Sequence, residues 1–175
     1  MVERRLADWI ENTFSCVSLP DARIWCNQIG SLGGALQASP VASVCAGVLA
    51  SDASNYGPRT HLAAARFIVD ALSKKKNGMT PEKIVKAYQA SPRLPPVIVG
   101  YARPVARGDE RIPAMERVTK MLGFEIGEHL DLAYKISEVL LKKYNESMNI
   151  AGYTVAFLSD QGFSDKEIYR IYSMC

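Results

Sequence analysis

The chain has 175 residues, 48% of them hydrophobic and 22% charged, and a formal net charge of +3. These values are ordinary for a globular protein with one domain, or one domain and a small satellite, and the charge alone does not indicate a nucleic-acid-binding protein. No segment approaches the ~20 consecutive apolar residues of a transmembrane helix. Four cysteines without paired spacing and two histidines predict no structural metal site, no disulfide framework and a reducing, cytoplasmic compartment.

Apolar residues recur at helical spacing along most of the chain, and no stretch shows the alternation of a strand. Helix starts are marked by Ser18-Leu19-Pro20-Asp21, Ser39-Pro40, Thr80-Pro81-Glu82 and the capping box from Ser164 to Glu167. The predicted helices cover residues 2–14, 20–34, 40–54, 59–72, 81–90, 113–122, 127–144, 149–158 and 164–175. The sequence therefore predicts an all-α fold.

The predicted helix at 40–54 is unusually rich in small residues, namely Ala42, Ser43, Ala46, Gly47 and Ala50. Small side chains let helix axes approach closely, so this helix is predicted to pack against large surfaces. Two interpretations stay open. The helix is either buried within one subunit or forms, with the helix at 20–34, the two-fold interface of a homodimer.

Residues 94–113 interrupt the helical pattern with four prolines, two glycines and three arginines. Proline lacks an amide donor, so neither a long helix nor a central strand runs through this segment. Glycines permit close backbone approach, and guanidinium groups supply paired donors, which suits an anionic, phosphorylated ligand. The alternative is a proline-stiffened connection with solvated arginines.

Within this loop, the segments 100–105 and 107–111 resemble the small-domain loop of the citrate synthase family. That family has Gly-x-Gly-His, then a basic residue and Asp-Pro-Arg. Its loop wraps coenzyme A (CoA), and its histidine binds the carbonyl of the oxo-acid. Three positions depart from the pattern: Ala102 replaces the second glycine, Arg103 stands at the histidine, and Glu110 replaces the proline.

The resemblance extends over most of the chain beyond about residue 20 and implies a truncated citrate-synthase-like helical fold. It divides the chain into large-domain-like helices at 1–77 with a helix-pair dimer core, a small CoA-binding α domain at 78–163, and a C-terminal helix at 164–175. It also implies a homodimer and a small-molecule thioester or carboxylate ligand, with CoA or acyl-CoA as the expected cofactor and no metal.

The family's reaction needs two histidines and a proton-abstracting aspartate. The first histidine position falls on Thr60, with His61 one residue later, and the second holds Arg103. The aspartate position holds Ala151, and an alanine removes no proton. His61 and Arg103 are thus the candidate catalytic residues, although a histidine at a helix start is commonly structural.

The resemblance also implies a set of ligand-binding residues. The backbone of Val99, Gly100 and Tyr101 would meet the adenine, and Arg107 with Lys142 or Lys143 would meet the phosphates. The complete predicted set is Val99, Gly100, Tyr101, Arg107, Arg111, Lys142 and Lys143.

Three classes of function follow from these observations. The first is an active enzyme that makes or cleaves a carbon–carbon bond beside a CoA thioester, of the citrate synthase or citryl-CoA lyase type. The second is a CoA or acyl-CoA binder with a degenerate catalytic set, which the missing aspartate favours. The third, a nucleic-acid module suggested by the pI of about 8.7, lacks a clustered basic face with interleaved aromatics and is ranked last.

Overall fold

The computed structural model describes residues 3–18, 21–91, 94–103 and 108–174. The helices of these ranges are α1 (Arg4–Val17), α2 (Trp25–Ala35), α3 (Pro40–Ser51), α4 (Pro58–Lys76), α5 (Pro81–Ala87), α6 (Arg111–Met121), α7 (Glu128–Tyr144), α8 (Ile150–Asp160) and α9 (Asp165–Ser173). Extended pairing within the same ranges is limited to two isolated antiparallel bridges. The all-α fold predicted from the sequence is confirmed.

Three of the four marked helix starts are confirmed by side-chain caps. Ser39 caps α3 and Thr80 caps α5, while Ser164 and Glu167 form the predicted capping box of α9. A hydroxyl that accepts from a first-turn amide satisfies a donor with no partner inside the helix, which explains why these signals are reliable.

The predicted start of the second helix is wrong. The helix begins at Trp25, because the carboxylate of Asp21 accepts from the amide of Arg23 and also binds its guanidinium, which closes a turn before the helix. The predicted end at about Gly33 and Gly34 agrees with the structure to within one residue, since the helix ends at Ala35.

Helix α8 lies at the centre of the fold. Residues 150–159 are all buried, and α4, α6, α7 and α9 pack around the helix. Trp9 of α1 stacks on Phe157 with ring centroids 4.0 Å apart. The Trp9 indole donates to the Thr119 hydroxyl at 2.8 Å, and that hydroxyl is hydrogen-bonded to the Tyr153 hydroxyl at 2.8 Å, so these three buried polar groups satisfy one another.

Helices α2 and α3 form a hairpin outside this core. Their small residues face each other: a Cβ built on Gly33 would lie 2.6 Å from the Ser43 hydroxyl, and one on Gly47 would lie 3.0 Å from Cys26 O. The outward sides of the hairpin carry exposed apolar side chains, namely Trp25, Ile29, Leu32, Leu36, Val41, Val44, Val48 and Leu49. The interpretation of α3 as a helix buried within its own subunit is wrong, because no residue of this described helix is buried.

None of the described helices combines the length and the apolar character needed to cross a membrane.

Candidate functional site

Residues 98–103 are fastened to the start of α8 by a ladder of hydrogen bonds. Ala102 N donates to Ser147 O at 2.8 Å, and Asn149 N donates to Gly100 O at 2.9 Å. The Asn149 side chain caps α8 by accepting from Gly152 N at 3.1 Å and also donates to Ala102 O at 2.7 Å. One asparagine therefore both starts the central helix and holds the loop in place.

The loop and the helix approach so closely because two glycines meet. Gly100 has a φ of +97°, and a Cβ built on it would lie 3.0 Å from the Cα of Gly152. A Cβ on Gly152 would overlap Gly100 O. Ala102, at the second glycine of the family pattern, also has a positive φ of +90°, a backbone conformation that glycine adopts freely and that alanine adopts only with strain.

Asp109 is the buried carboxylate around which the cations of the site assemble. It binds the Arg111 guanidinium through two bonds of 2.7 Å and accepts from Ile150 N at 2.8 Å. Arg103 Nη1 lies 3.8 Å from the same carboxylate. Burial raises the pKa of Asp109, but Arg111 and the backbone donors more than offset this effect, so the pKa lies below its ordinary value. The carboxylate is therefore ionised, and its oxygens are used for structural bonds to Arg111 and to the start of α8.

Arg103 stands where the resemblance implies a histidine, and it is already paired. Its Nη1 donates to Glu110 Oε2 at 2.5 Å and to Gly108 O at 3.3 Å, and the side chain is only 15% exposed. Glu110 occupies the family's proline position. Two departures from the family pattern are thus direct partners, which the sequence analysis did not predict because nothing in their seven-residue separation indicates contact in a loop.

His61 is partly buried near the start of α4 and faces α9. Its ring stacks on Tyr172 with centroids 3.8 Å apart, and its Nδ1 lies 3.3 Å from Gly57 O. A carbonyl only accepts, so Nδ1 carries the proton and Nε2 keeps its lone pair. Burial, aided by the nearby charge of Arg111, lowers the pKa of His61 to about 4. The imidazole is therefore neutral at physiological pH.

Thr60, the position to which the resemblance assigns the first histidine, is used locally. Its hydroxyl donates to Gly57 O at 2.7 Å, a bond that closes the first turn of α4. The one-residue offset of His61 turns its ring toward Tyr172, a contact that the sequence analysis missed because it joins residues more than a hundred positions apart.

The chain offers no carboxylate at position 151. Ala151 is buried in the first turn of α8, and its carbonyl accepts from the Thr154 hydroxyl. Asp160 lies at the other end of α8, where it accepts from the amides of His129 and Leu130 at the start of α7. Asp109 and Asp160 therefore both hold structural bonds.

The predicted ligand-binding residues are spread over two places. Gly100 and Tyr101 are buried, and the Tyr101 phenol points inward and donates to Ala133 O at 3.2 Å. Val99 beside them is partly buried. Tyr101 N already donates to Ile98 O at 3.2 Å, so this amide is not directed to a ligand as the loop's composition suggested.

The cationic members of the predicted set divide similarly. Arg111 joins Arg103 on Asp109, whereas Lys142 and Lys143 lie exposed at the end of α7, where their charges act on Glu82 of α5. Arg107 lies outside the described residues. The structure thus brings Arg103 and Arg111 together at Asp109, with His61 near Arg111, and places the two lysines at the exposed end of α7.

No group of three or more histidine, cysteine, aspartate or glutamate side chains is placed to hold a metal ion within the described ranges.

No protein-family model matches this sequence, and no curated protein is significantly similar to it. Solved structures do match. Citryl-CoA lyase from Hydrogenobacter thermophilus has a TM-score of 0.77 and 22% identity, covering 99% of this chain and 66% of the lyase chain.

Two ATP citrate lyase structures match as well, each at 20% identity. Each match covers 99% of this chain and 28% of the ATP citrate lyase chain. The enzyme from Methanothrix soehngenii, in complex with citrate and coenzyme A, has a TM-score of 0.76. A variant of the enzyme from Methanosaeta concilii, in complex with (3S)-citryl-CoA, has a TM-score of 0.77.

At these identities the matches establish the fold. The chain has the citrate-synthase-like helical fold of citryl-CoA lyase and ATP citrate lyase, as its loop resemblance implied. It spans less than two thirds of the length of each of these chains.

Proposed function

We propose that this protein binds CoA or an acyl-CoA thioester through the citrate-synthase-like loop and does not catalyse carbon–carbon bond formation or cleavage. The observation that carries the proposal is a contrast at the start of α8. The loop is held against this helix as a ligand-binding loop would need to be, with two arginines gathered on Asp109. The helix itself presents the methyl group of Ala151 where the family's base would be.

The choice of ligand is supported by the complexes of similar structures. One ATP citrate lyase of this fold holds citrate and coenzyme A, and another holds (3S)-citryl-CoA. In this chain the partly buried backbone of Val99 would meet the adenine, because Gly100 O and Tyr101 N already hold hydrogen bonds within the fold. Arg107 would meet the phosphates with Lys142 or Lys143, because charge-assisted bonds to phosphate are among the strong ones.

The absence of catalysis is supported by the chemistry at the three family positions. Ala151 removes no proton. A guanidinium does not give up a proton readily, and that of Arg103 is already bound by Glu110. Loss of one general base typically costs about 10²–10⁴ in rate. Restoring it alone, as Ala151→Asp, should therefore not produce turnover.

The second candidate function is an active citrate synthase or citryl-CoA lyase type of enzyme, and one observation favours it. His61 is neutral and near Arg111, and its Nε2 has a lone pair able to accept a proton. Robust thiol release from acetyl-CoA with oxaloacetate, or cleavage of citryl-CoA, abolished by His61→Ala, would establish this function in place of the first.

The hairpin of α2 and α3 is proposed as the interface of a homodimer. Residues 24–51 contain no Asp, Glu, Lys or Arg, yet this segment carries eight exposed large apolar side chains. A surface of this size without charge is typical of a protein interface. A second copy fits best, because an uncharged face is complementary to itself across a two-fold axis.

Calorimetric titration with CoA and acetyl-CoA tests the binding function. We expect binding by the parent protein and at least tenfold weaker binding by Arg107→Ala, since losing a charge-assisted contact costs about 1.5–3 kcal/mol. Arg117→Ala, which removes an exposed arginine from α6, is the matched control and should bind like the parent. No measurable binding at millimolar CoA would end the proposal.

A further inference from the structure

The cations around the site are matched by carboxylates from their own segments. Three arginines form such pairs: Arg23 with Asp21, Arg103 with Glu110, and Arg111 with Asp109. The pKa of Asp21 is lowered chiefly by its bonds to Arg23 and, less strongly, by the charge of Arg103, which places the first pair near the second. In the described part of the site, positive and negative charges therefore balance.

The pairs on Asp109 and Glu110 differ in how readily the carboxylate can leave. The Asp109 side chain is 0% exposed and also holds the amide of Ile150, so moving it would unpair a buried donor and an arginine. The Glu110 side chain is 73% exposed, although its partner Arg103 is 15% exposed. A solvated carboxylate thus rests on a sheltered, fixed cation.

Arg103 is fixed independently of Glu110. Its Nη1 also donates to Gly108 O at 3.3 Å and lies 3.8 Å from Asp109. If Glu110 turned into solvent, the guanidinium would remain in place with donors available to another planar carboxylate, the geometry that arginine binds best. Water can replace Arg103 as the partner of the exposed Glu110 carboxylate, so this carboxylate leaves at a lower cost than the buried Asp109 carboxylate would.

We infer that Glu110 is an exchangeable internal carboxylate, which a carboxylate of the ligand replaces on Arg103. The inference rests on the proposed function in that the same site receives the ligand, and it adds the group of this chain that the ligand must displace. The incoming group is a carboxylate of a di- or tricarboxylate, free or as the acyl part of a thioester. Glu110 weakens this recognition, because every ligand must compete with it.

Citrate titration of the full chain tests the exchange. Glu110→Gln removes the competing charge and should tighten citrate binding about fivefold or more, whereas Arg103→Gln should weaken binding in both backgrounds and abolish the gain. Glu110→Pro provides a second variant, because the φ of −61° at this position suits proline. It should also tighten binding.

Glu125→Gln is the matched control for net charge. Glu125 is exposed and lines the same cleft as Asp160, the last residue of α8. Asp160 is about 15 Å along that helix from Ile150, which lies next to Asp109. The Glu125→Gln substitution should therefore leave citrate affinity unchanged. Titration with inorganic phosphate separates carboxylate recognition from general anion binding, and it should show less than half the gain seen with citrate.

Several outcomes would overturn the inference. One is an equal change in citrate affinity for Glu110→Gln and Glu125→Gln, and another is a gain in citrate affinity that persists with Arg103→Gln. An equal gain in phosphate affinity would also overturn it, as would the absence of citrate binding by the parent and the Glu110 variants at millimolar concentration. CoA titration judges the proposed function separately. CoA binding without a Glu110 effect refutes only the exchange, and a Glu110 effect on citrate without CoA binding refutes only the CoA proposal.

Discussion

Helices α3 and α8 have similarly apolar sequences, yet they have opposite surroundings. Helix α8 (Ile150–Asp160) is enclosed by α1, α4, α6, α7 and α9 and has ten buried residues. Helix α3 (Pro40–Ser51) packs on α2 and has none. Neither helix has its apolar residues on one side only. Helix α8 is surrounded by apolar contacts, whereas α3 has small residues on one side and large apolar residues on the other.

The difference teaches that apolar content predicts that a helix will be covered, but not by what. The chain itself supplies the neighbours of α8. The small residues of α3 pack against α2, and its large apolar residues Val41, Val44, Val48 and Leu49 remain exposed. A face of this kind is stabilised only when another surface removes it from water. In the dimer that we propose, a second copy would cover this face of α3.

The largest effect should come from placing a charge on this face. Val44 is 63% exposed in the single chain, so the Val44→Glu substitution should leave the fold of the subunit intact. In a two-fold dimer it would bury two carboxylates, and dimer affinity should fall by about 1,000-fold, roughly 4 kcal/mol. Sedimentation at micromolar concentration measures the change from dimer to monomer.

Val69→Glu supplies the matched control, because Val69 is a 49% exposed valine on α4, outside the hairpin. It should not alter the sedimentation coefficient. A parent protein that sediments as a monomer at micromolar concentration would contradict the dimer proposal, as would an unchanged dimer with Val44→Glu.

The buried helix should respond most to Gly152→Ala. The new methyl group would overlap Gly100 O, the acceptor of the bond that starts α8. Forcing this atom into a packed seam should cost about 3 kcal/mol of unfolding free energy. Urea denaturation measures this loss of unfolding free energy.

Gly34→Ala in α2 is the matched control, because a Cβ at Gly34 meets nothing within 4 Å of the described chain. This substitution should instead stabilise the protein by about 0.5–1 kcal/mol. Equal losses in the two variants would remove the distinction between core and hairpin.

A pH titration should find another difference between the two regions, because His61 belongs to the body of the fold. Burial holds its pKa at about 4, below its ordinary value of 6.5. As pH falls from about 6.5 to about 4, the unfolded chain takes up this proton and the folded chain does not, so stability is lost by up to about 3 kcal/mol.

The control for this titration is His61→Phe, which keeps an aromatic ring against Tyr172 and cannot titrate. Urea denaturation at several pH values should show the variant gaining on the parent as pH falls through this window. A constant difference between pH 7 and pH 4 would show that His61 is not held neutral.

The smallest effect should come from Ala102→Gly in the loop that touches α8. Relief of the positive φ of +90° should outweigh the greater flexibility of glycine in the unfolded chain, for a net gain of about 1 kcal/mol. Thermal denaturation measures the gain. Ala114→Gly within α6 should lose about 1 kcal/mol, because that position is helical. A loss in both variants would indicate that Ala102 is not strained.

The sequence by itself determined the helical class, most helix starts and the likeness to the citrate synthase loop. These features depend on neighbouring residues: the spacing of apolar side chains, hydroxyls that cap the first free amides, and a distinctive run of glycine, proline and arginine. Ser39, Thr80 and Ser164 were predicted correctly because a cap forms within three residues of itself.

Only the tertiary structure decided what each feature contacts. The pairing of Arg103 with Glu110, the stacking of His61 on Tyr172 and the meeting of Gly100 with Gly152 join parts of the chain that no local pattern connects. The same holds for α3 and α8, whose apolar residues read alike in sequence. Hydrophobic attraction has no direction, so composition does not decide which helix is covered. The arrangement of the helices in space buries α8 and leaves α3 exposed.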